Sequence, residues 1–204
     1  MKGWRSVATR TALPDERKRQ ILEAAAAVFS RSGYHEARMD DIAEASGLSK
    51  GALYLYFPGK AALITTLLES HLDRSLHLMQ DLVRREGTVR DRLLAYIRHE
   101  AGELESMRTI LPLCYEFYAA ALREQEVAAF FKSYFGQYLD LLGEMIRQGI
   151  DRGELKQSDP RQTAILLAGS HEGLTLLWLM DPTAFDWTTQ MESSLQLVLD
   201  ALAL

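Results

Sequence analysis

The chain has 204 residues, 48% hydrophobic and 25% charged, which suits one or two compact domains with sizeable cores. One cysteine, Cys114, excludes an internal disulfide framework. No apolar run reaches the about 18 residues of a membrane span, and the N-terminal MKGWRSVATRTALP lacks the apolar centre of a secretory signal, so a cytoplasmic, membrane-free protein is expected. The net charge of −5 argues against nucleic acid until it is divided: residues 1–60 carry ten Lys/Arg against seven Asp/Glu, and residues 61–204 carry 13 against 21. A basic head on an acidic body suits a DNA reader with a separate second function.

Residues 1–12 show no periodicity and are expected to form a disordered arm, with Lys2, Arg5 and Arg10 available to a DNA backbone. Leu13-Pro14-Asp15 opens a first helix, whose stripe of Ile21, Leu22, Ala25, Val28 and Phe29 ends before Gly33. The stretch Arg38 to Phe57 then reads as two short helices around a tight turn. Met39, Ile42 and Ala43 form the apolar face of the first, Gly47 makes the reversal, Ser49 starts the second, and Pro58-Gly59 stops it. This is the helix-turn-helix pattern, whose second helix lies in the DNA major groove. Leu53 and Phe57, four apart, face the core. That leaves Ser49, Lys50, Tyr54 and Tyr56 for phosphates and base edges, Gly51 and Ala52 small enough for close approach, and Lys60 beside a helix start as a phosphate clamp. Packed tyrosines and a solvated lysine are the plainer alternative for any one of these taken alone.

The segment ILEAAAAVFSRSGYHEARMDDIAEASGLSKGALYLYFPGKAAL, Ile21 to Leu63, resembles the DNA-binding domain of TetR-family transcriptional regulators. The shared features are the Gly33-Tyr34 turn, the Ile42 to Phe57 core and Pro58 to Lys60. Two departures bear on the operator sequence: Arg38 stands where a capping Ser or Thr is frequent, adding a candidate phosphate contact, and Ala52 stands where a Thr is common.

A long apolar-striped helix over about 60–85 follows, roughly 37 Å in length and so able to carry movement from body to head. Further helical patterns cover about 88–105, 108–123, 125–151, 160–180 and 187–203, with no strand signature. The expected class is all-α: an N-terminal three-helix head over 13–60 and a larger helical ligand-binding and dimerisation domain over 61–204. Residues 115–138 are rich in aromatics, and apolar walls with a few polar handles describe small-molecule sites between helices. Tyr115, Tyr118, Phe131, Phe135, Met107, Leu142, Met145, His171 and Trp178 are the candidate lining residues, although each also fits plain core packing. The helix over 164–180 is apolar around most of its circumference and calls for burial by a second subunit. Glu172 beside His171 offers a ligand or cross-dimer hydrogen bond. Asp73, His77 and Asp81 share a helix face without completing a metal site, and Cys114 reads as a small buried residue.

The resemblance implies a repressor, dimeric through its last two helices, that binds a palindromic double-stranded operator and is released by a small apolar or aromatic inducer. No cofactor, no metal and no enzymatic reaction is expected. Two alternatives remain open from the sequence: a sequence-specific regulator without a small ligand, controlled by a protein partner, and a helical enzyme or carrier that has lost DNA binding.

Overall fold

The structure is a computed structural model that describes residues 13–108, 111–123 and 125–203. The proposed arm over 1–12 and the Met107 side chain lie outside the described residues. Every regular element among them is an α-helix, and the one β-type contact is an isolated antiparallel bridge between Leu155 and Ala203. The chain divides into two compact units at Glu69/Ser70, nine residues beyond the Lys60 boundary read from the sequence.

In the first unit, α1 (Leu13–Glu36) buries Ile21, Ala25, Val28 and Phe29 at one face, the i, i+4 spacing that an amphipathic helix requires. It kinks at Gly33, where φ is 71°. The short helices α2 (Met39–Ala45) and α3 (Lys50–Tyr56) pack against each other, with Ile42 and Leu53 both fully buried. Each such aliphatic side chain contributes about 1.5–3 kcal/mol of burial, so seven-residue helices that could not persist in water are held by packing. Gly47 carries the turn at φ 65°. Its N–H donates to the Glu44 carbonyl at 3.0 Å, and the Leu48 N–H donates to Ala43 at 2.9 Å, closing the end of α2. The Gln20 amide donates to the Ser46 carbonyl at 2.8 Å and ties α1 to the same turn.

The helix α4 (Lys60–Arg84) spans the division. In the second unit its Leu76, Met79 and Leu82 join one core with α5 (Val89–Met107), α7 (Gln125–Asp151), α8 (Pro160–Met180) and α9 (Trp187–Leu202), while α6 (Leu111–Ala121) packs on α7. Gly149 is where α7 meets the α4–α5 turn: a Cβ there would stand 2.6 Å from Val89 Cγ2, closer than atoms tolerate. Asp159 and Asp186 cap α8 and α9 by accepting backbone N–H bonds at 2.8 Å. The α8 apolarity read from the sequence divides in two. Thr163, Ala164, Leu167, Ala168, Thr175 and Trp178 are buried, whereas Ile165, Leu166, Leu177 and Met180 are more than half exposed. By length and hydropathy alone this helix could also cross a membrane, a test that buried helices of globular proteins pass as well.

Candidate DNA interface and body cavity

The turn delivers α3 with one face buried and one open. Leu53 and Phe57 are buried; Ser49, Lys50, Gly51, Tyr54 and Leu55 are exposed, and Ala52 and Tyr56 are half-buried. The Ser49 Oγ accepts from the Ala52 N–H at 3.2 Å, so this oxygen caps the helix. Lys50 Nζ lies 2.8 Å from the Asp40 carboxylate, with both side chains 60% exposed. That hydrogen bond and the Asp40 charge raise the Lys50 pKa. An exposed pair of this kind adds little stability and can be exchanged for a phosphate. A Cβ added at Gly51 would meet nothing within 4 Å.

The Arg38 backbone and the Lys60 ammonium both have partners within the head. The exposed Arg38 precedes α2, and its backbone N–H donates to the Asp41 carboxylate at 3.2 Å, the reciprocal half of a capping box. Lys60 donates to the carbonyls of Tyr34 and His35 at 2.7 and 2.9 Å, and its ammonium sits 4.9 Å from the Tyr34 ring centroid. Two of its three donors thus hold the end of α1, leaving one for any other partner. Leu55, 86% exposed in the open face of α3, was missed by a reading that looked for polar groups. Its position off the Leu53/Phe57 stripe is the signal that would have found it.

In the second unit, rings form a continuous belt around a cavity of about 70 Å³. Tyr115 meets Tyr118 edge-on at 5.4 Å, Tyr118 lies 5.8 Å from Phe135, and Phe135 lies 5.2 Å from Tyr134. Tyr134 stacks on Tyr138 at 6.2 Å, Tyr138 is 6.1 Å from Tyr96, and Tyr96 is 6.1 Å from His171, which meets Trp187 edge-on at 5.8 Å. A smaller neighbouring cavity of about 50 Å³ shares Tyr96, Tyr138 and His171 and adds Leu142. Of the residues expected from the sequence, Tyr115, Tyr118, Phe135 and His171 wall the larger cavity and Leu142 the smaller. Phe131, Met145 and Trp178 are buried and line neither. Trp187 takes the place expected for Trp178, its Nε1–H donating to Thr175 Oγ1 at 3.2 Å. Tyr96 and Glu100, one helical turn apart on α5, were not anticipated. Their i, i+4 spacing on one face of the helix was the available signal.

Two carboxyls face this cavity. Burial, then the charges of Glu103 and Glu172, push Glu100 up to about 7. Burial pushes Glu172 to about 7 as well, against the opposing hydrogen bond from Tyr118. Between pH 4.5 and about 7 the folded protein holds protons on these groups that the unfolded chain has released, so their contribution to stability falls as pH rises through that window. His171 works in the opposite sense: burial lowers it from 6.5 to about 4, so it is neutral when folded, and its Nε2 has no hydrogen-bond partner. Burial and then the Glu172 charge push the Cys114 thiol up to about 12. We therefore expect Cys114 to resist iodoacetamide at pH 8 in the folded protein and to react readily once unfolded, and mass spectrometry of the adduct checks this. Rapid native alkylation would contradict the buried placement.

Residues 21–67 match the model of bacterial regulatory proteins of the tetR family, and residues 89–203, more than half of the chain, match the model of the BetI-type transcriptional repressor C-terminal domain. The chain belongs to the TetR family of bacterial regulatory proteins. This TetR-family chain is 30% identical to the HTH-type transcriptional regulator TtgR of Pseudomonas putida over 93% of its own length and 92% of that protein's. Its fold is that of the SmeT–triclosan complex, SmeT being the repressor of a Stenotrophomonas maltophilia efflux pump, with a TM-score of 0.81 at 20% identity, covering 93% of this chain and 92% of that one. FadR of Bacillus subtilis in complex with stearoyl-CoA is similar at a TM-score of 0.74 and 23% identity, covering 90% and 98%. The TetR-family assignment makes this protein a DNA-binding transcriptional regulator and accounts for the turn at Gly47 and the open face of α3.

Proposed function

We propose that the protein is a homodimeric repressor that holds a palindromic operator with two α3 helices and is released when a small molecule enters the ring-lined cavity. The observation that carries the ligand half is the cavity itself, enclosed by helices and walled by aromatic rings with few polar groups. SmeT and FadR, similar in fold, are known with a chlorinated phenol and an acyl thioester bound, which supports a small-molecule site here without choosing the molecule. This favours ligand control over control by a protein partner.

On the DNA side, Arg38, Lys50 and the one remaining Lys60 donor serve phosphates, and Ser49 keeps a hydroxyl proton to give. Tyr54, Tyr56 and Ala52 face base edges, and Leu55 is suited to a thymine methyl. For the dimer, the exposed Ile165, Leu166, Leu177 and Met180 of α8 and Leu197 of α9 offer an apolar face, and Gly169 and Gly173 leave open space that permits close helix approach. Ligand binding acts by population shift, favouring a conformation whose two heads no longer match half-sites about 34–36 Å apart. A coupling of about 1–3 kcal/mol changes operator affinity about 5–150-fold.

The test is selection of bound duplexes from a random pool by the full-length protein at near-physiological salt. An enriched palindrome, bound by one dimer as judged by light scattering, is the expected result. A folded protein that enriches nothing, or a monomer on its DNA, overturns the reading.

A further inference from the structure

The two lysines at the head's helix starts are held in different ways. Lys50 on α3 is 60% exposed and pairs with one carboxylate, that of Asp40. Lys60 is half-buried, and its ammonium meets two backbone carbonyls and a ring face. The carbonyls belong to the last turn of α1. Past the kink at Gly33 the Ala37 N–H donates to the Gly33 carbonyl at 3.2 Å, and the next two carbonyls, of Tyr34 and His35, accept from Lys60. The last carbonyls of a helix lack partners within it, and a lysine side chain satisfies them. This lysine comes from far along the chain. His35 and Lys60 are 25 positions apart, and α2, the turn at Gly47 and α3 all lie between them. The clamp therefore closes the base of the whole segment that presents α3. Gln20 holds the same segment at its turn, through the 2.8 Å bond to the Ser46 carbonyl.

A small displacement of α3 affects the two kinds of DNA contact unequally. Hydrogen bonds to base edges hold over only a few tenths of an ångström and require alignment. Attraction to phosphates reaches about 8 Å at physiological salt and is indifferent to sequence. A clamp that fixes α3 thus bears on which sequence is bound more than on whether DNA is bound. We propose that Lys60 is a positioning residue for sequence readout: by joining the first turn of α4 to the end of α1, it sets the placement of α3 and so the discrimination between operator and unrelated DNA. The proposal rests on the reading of α3 as the helix that meets base edges. The third Lys60 donor can still serve a phosphate, a contribution equal for all sequences. Tyr34 belongs to the same device. Its ring centroid lies 4.9 Å from the ammonium and 5.8 Å from the ring of the buried Phe29, which seats the clamp on the core of the head.

The test compares two duplexes of equal length, the operator selected from a random pool and an unrelated sequence, each titrated with full-length protein at several salt concentrations. Lys60→Met keeps the apolar stem and removes the donors. The expected result is that its preference for operator over unrelated duplex falls at least about tenfold, while the unrelated duplex loses only a few-fold in affinity, about what one phosphate contact supplies. Tyr34→Leu removes the ring and no charge. It lowers the preference at least about threefold, leaves the salt dependence unchanged, and adds little when combined with Lys60→Met. The proposal is overturned if folded Lys60→Met weakens both duplexes by the same factor, as loss of a phosphate contact alone would. It is also overturned if Lys60→Met leaves operator affinity unchanged. Thermal melts check the fold; should Lys60→Met unfold the head, Tyr34→Leu decides, and full preference in that variant overturns the proposal. A parent protein that binds the operator no better than the unrelated duplex defeats the reading of α3 and this proposal with it. A parent that discriminates, with variants that discriminate equally well, defeats this proposal alone.

Discussion

Replacing Gly51 by leucine is expected to weaken operator binding by about two orders of magnitude without unfolding the protein. In the free chain the position is open: an added Cβ touches nothing within 4 Å, and the residue is exposed on α3. Leucine is also the better helix former by about 0.5–1 kcal/mol, so the melting temperature should hold or rise slightly. The cost arises only when α3 enters the groove, because the branched side chain then stands where the backbone must approach base edges. Losing the base contacts of that turn costs about 3 kcal/mol or more, roughly a 150-fold weakening, read by a mobility-shift titration on the selected operator. Gly51→Ala, one methyl group, should fall between. A leucine variant that binds as tightly as the parent would mean that α3 does not approach DNA along this face, and Tyr54 and Leu55 would then lose their assigned roles.

The second large effect is on stability. Arg92 is only 1% exposed, and its guanidinium binds three parts of the second unit at once. Nη1 donates to the Val83 carbonyl at 3.2 Å and to Gln148 Oε1 at 2.7 Å, and weakly to Leu82 at 3.4 Å, while Nε reaches the Thr88 carbonyl at 3.4 Å. It therefore closes the carbonyl end of α4, fixes the turn into α5 and anchors both to α7. Arg92→Met preserves much of the apolar stem but strands those carbonyls and the Gln148 oxygen away from water. The expected loss is about 3 kcal/mol, near 10 °C in melting temperature. The loss is partly offset because Nη2 is itself buried without a partner in the parent. Arg92→Lys should recover little, since one ammonium cannot span α4 and α7 together. A shift under about 2 °C for the methionine variant would show that solvent reaches this corner.

The head was the more legible half of the chain because its function is local. Gly47, Ser49, Leu53 and Phe57 lie within one turn and one short helix, and their roles follow from backbone freedom, capping and i, i+4 spacing, all of which are readable along the chain. Lys60 was the exception. Its partners, the Tyr34 and His35 carbonyls, lie 26 and 25 residues away, and nothing in the local pattern shows that the end of α1 folds back onto it. In the body, periodicity marked the helices to within a few residues but could not rank the aromatics. An aromatic on an apolar stripe has the same spacing whether its ring fills the core, as Phe131 does, or walls a cavity, as Phe135 does four residues later.

By itself, then, the sequence determined the all-α class, the helix-turn-helix and the family, because these rest on contacts between near neighbours and on the side chains that make them. Tertiary structure alone decided which residues converge from four helices: Tyr96 and Glu100 from α5, Tyr118 from α6, Tyr138 from α7, and His171 and Glu172 from α8. Up to 76 positions separate these groups, and what they do depends on being brought together. Only when Glu100 and Glu172 are buried beside each other do two ordinary glutamates acquire raised pKa values.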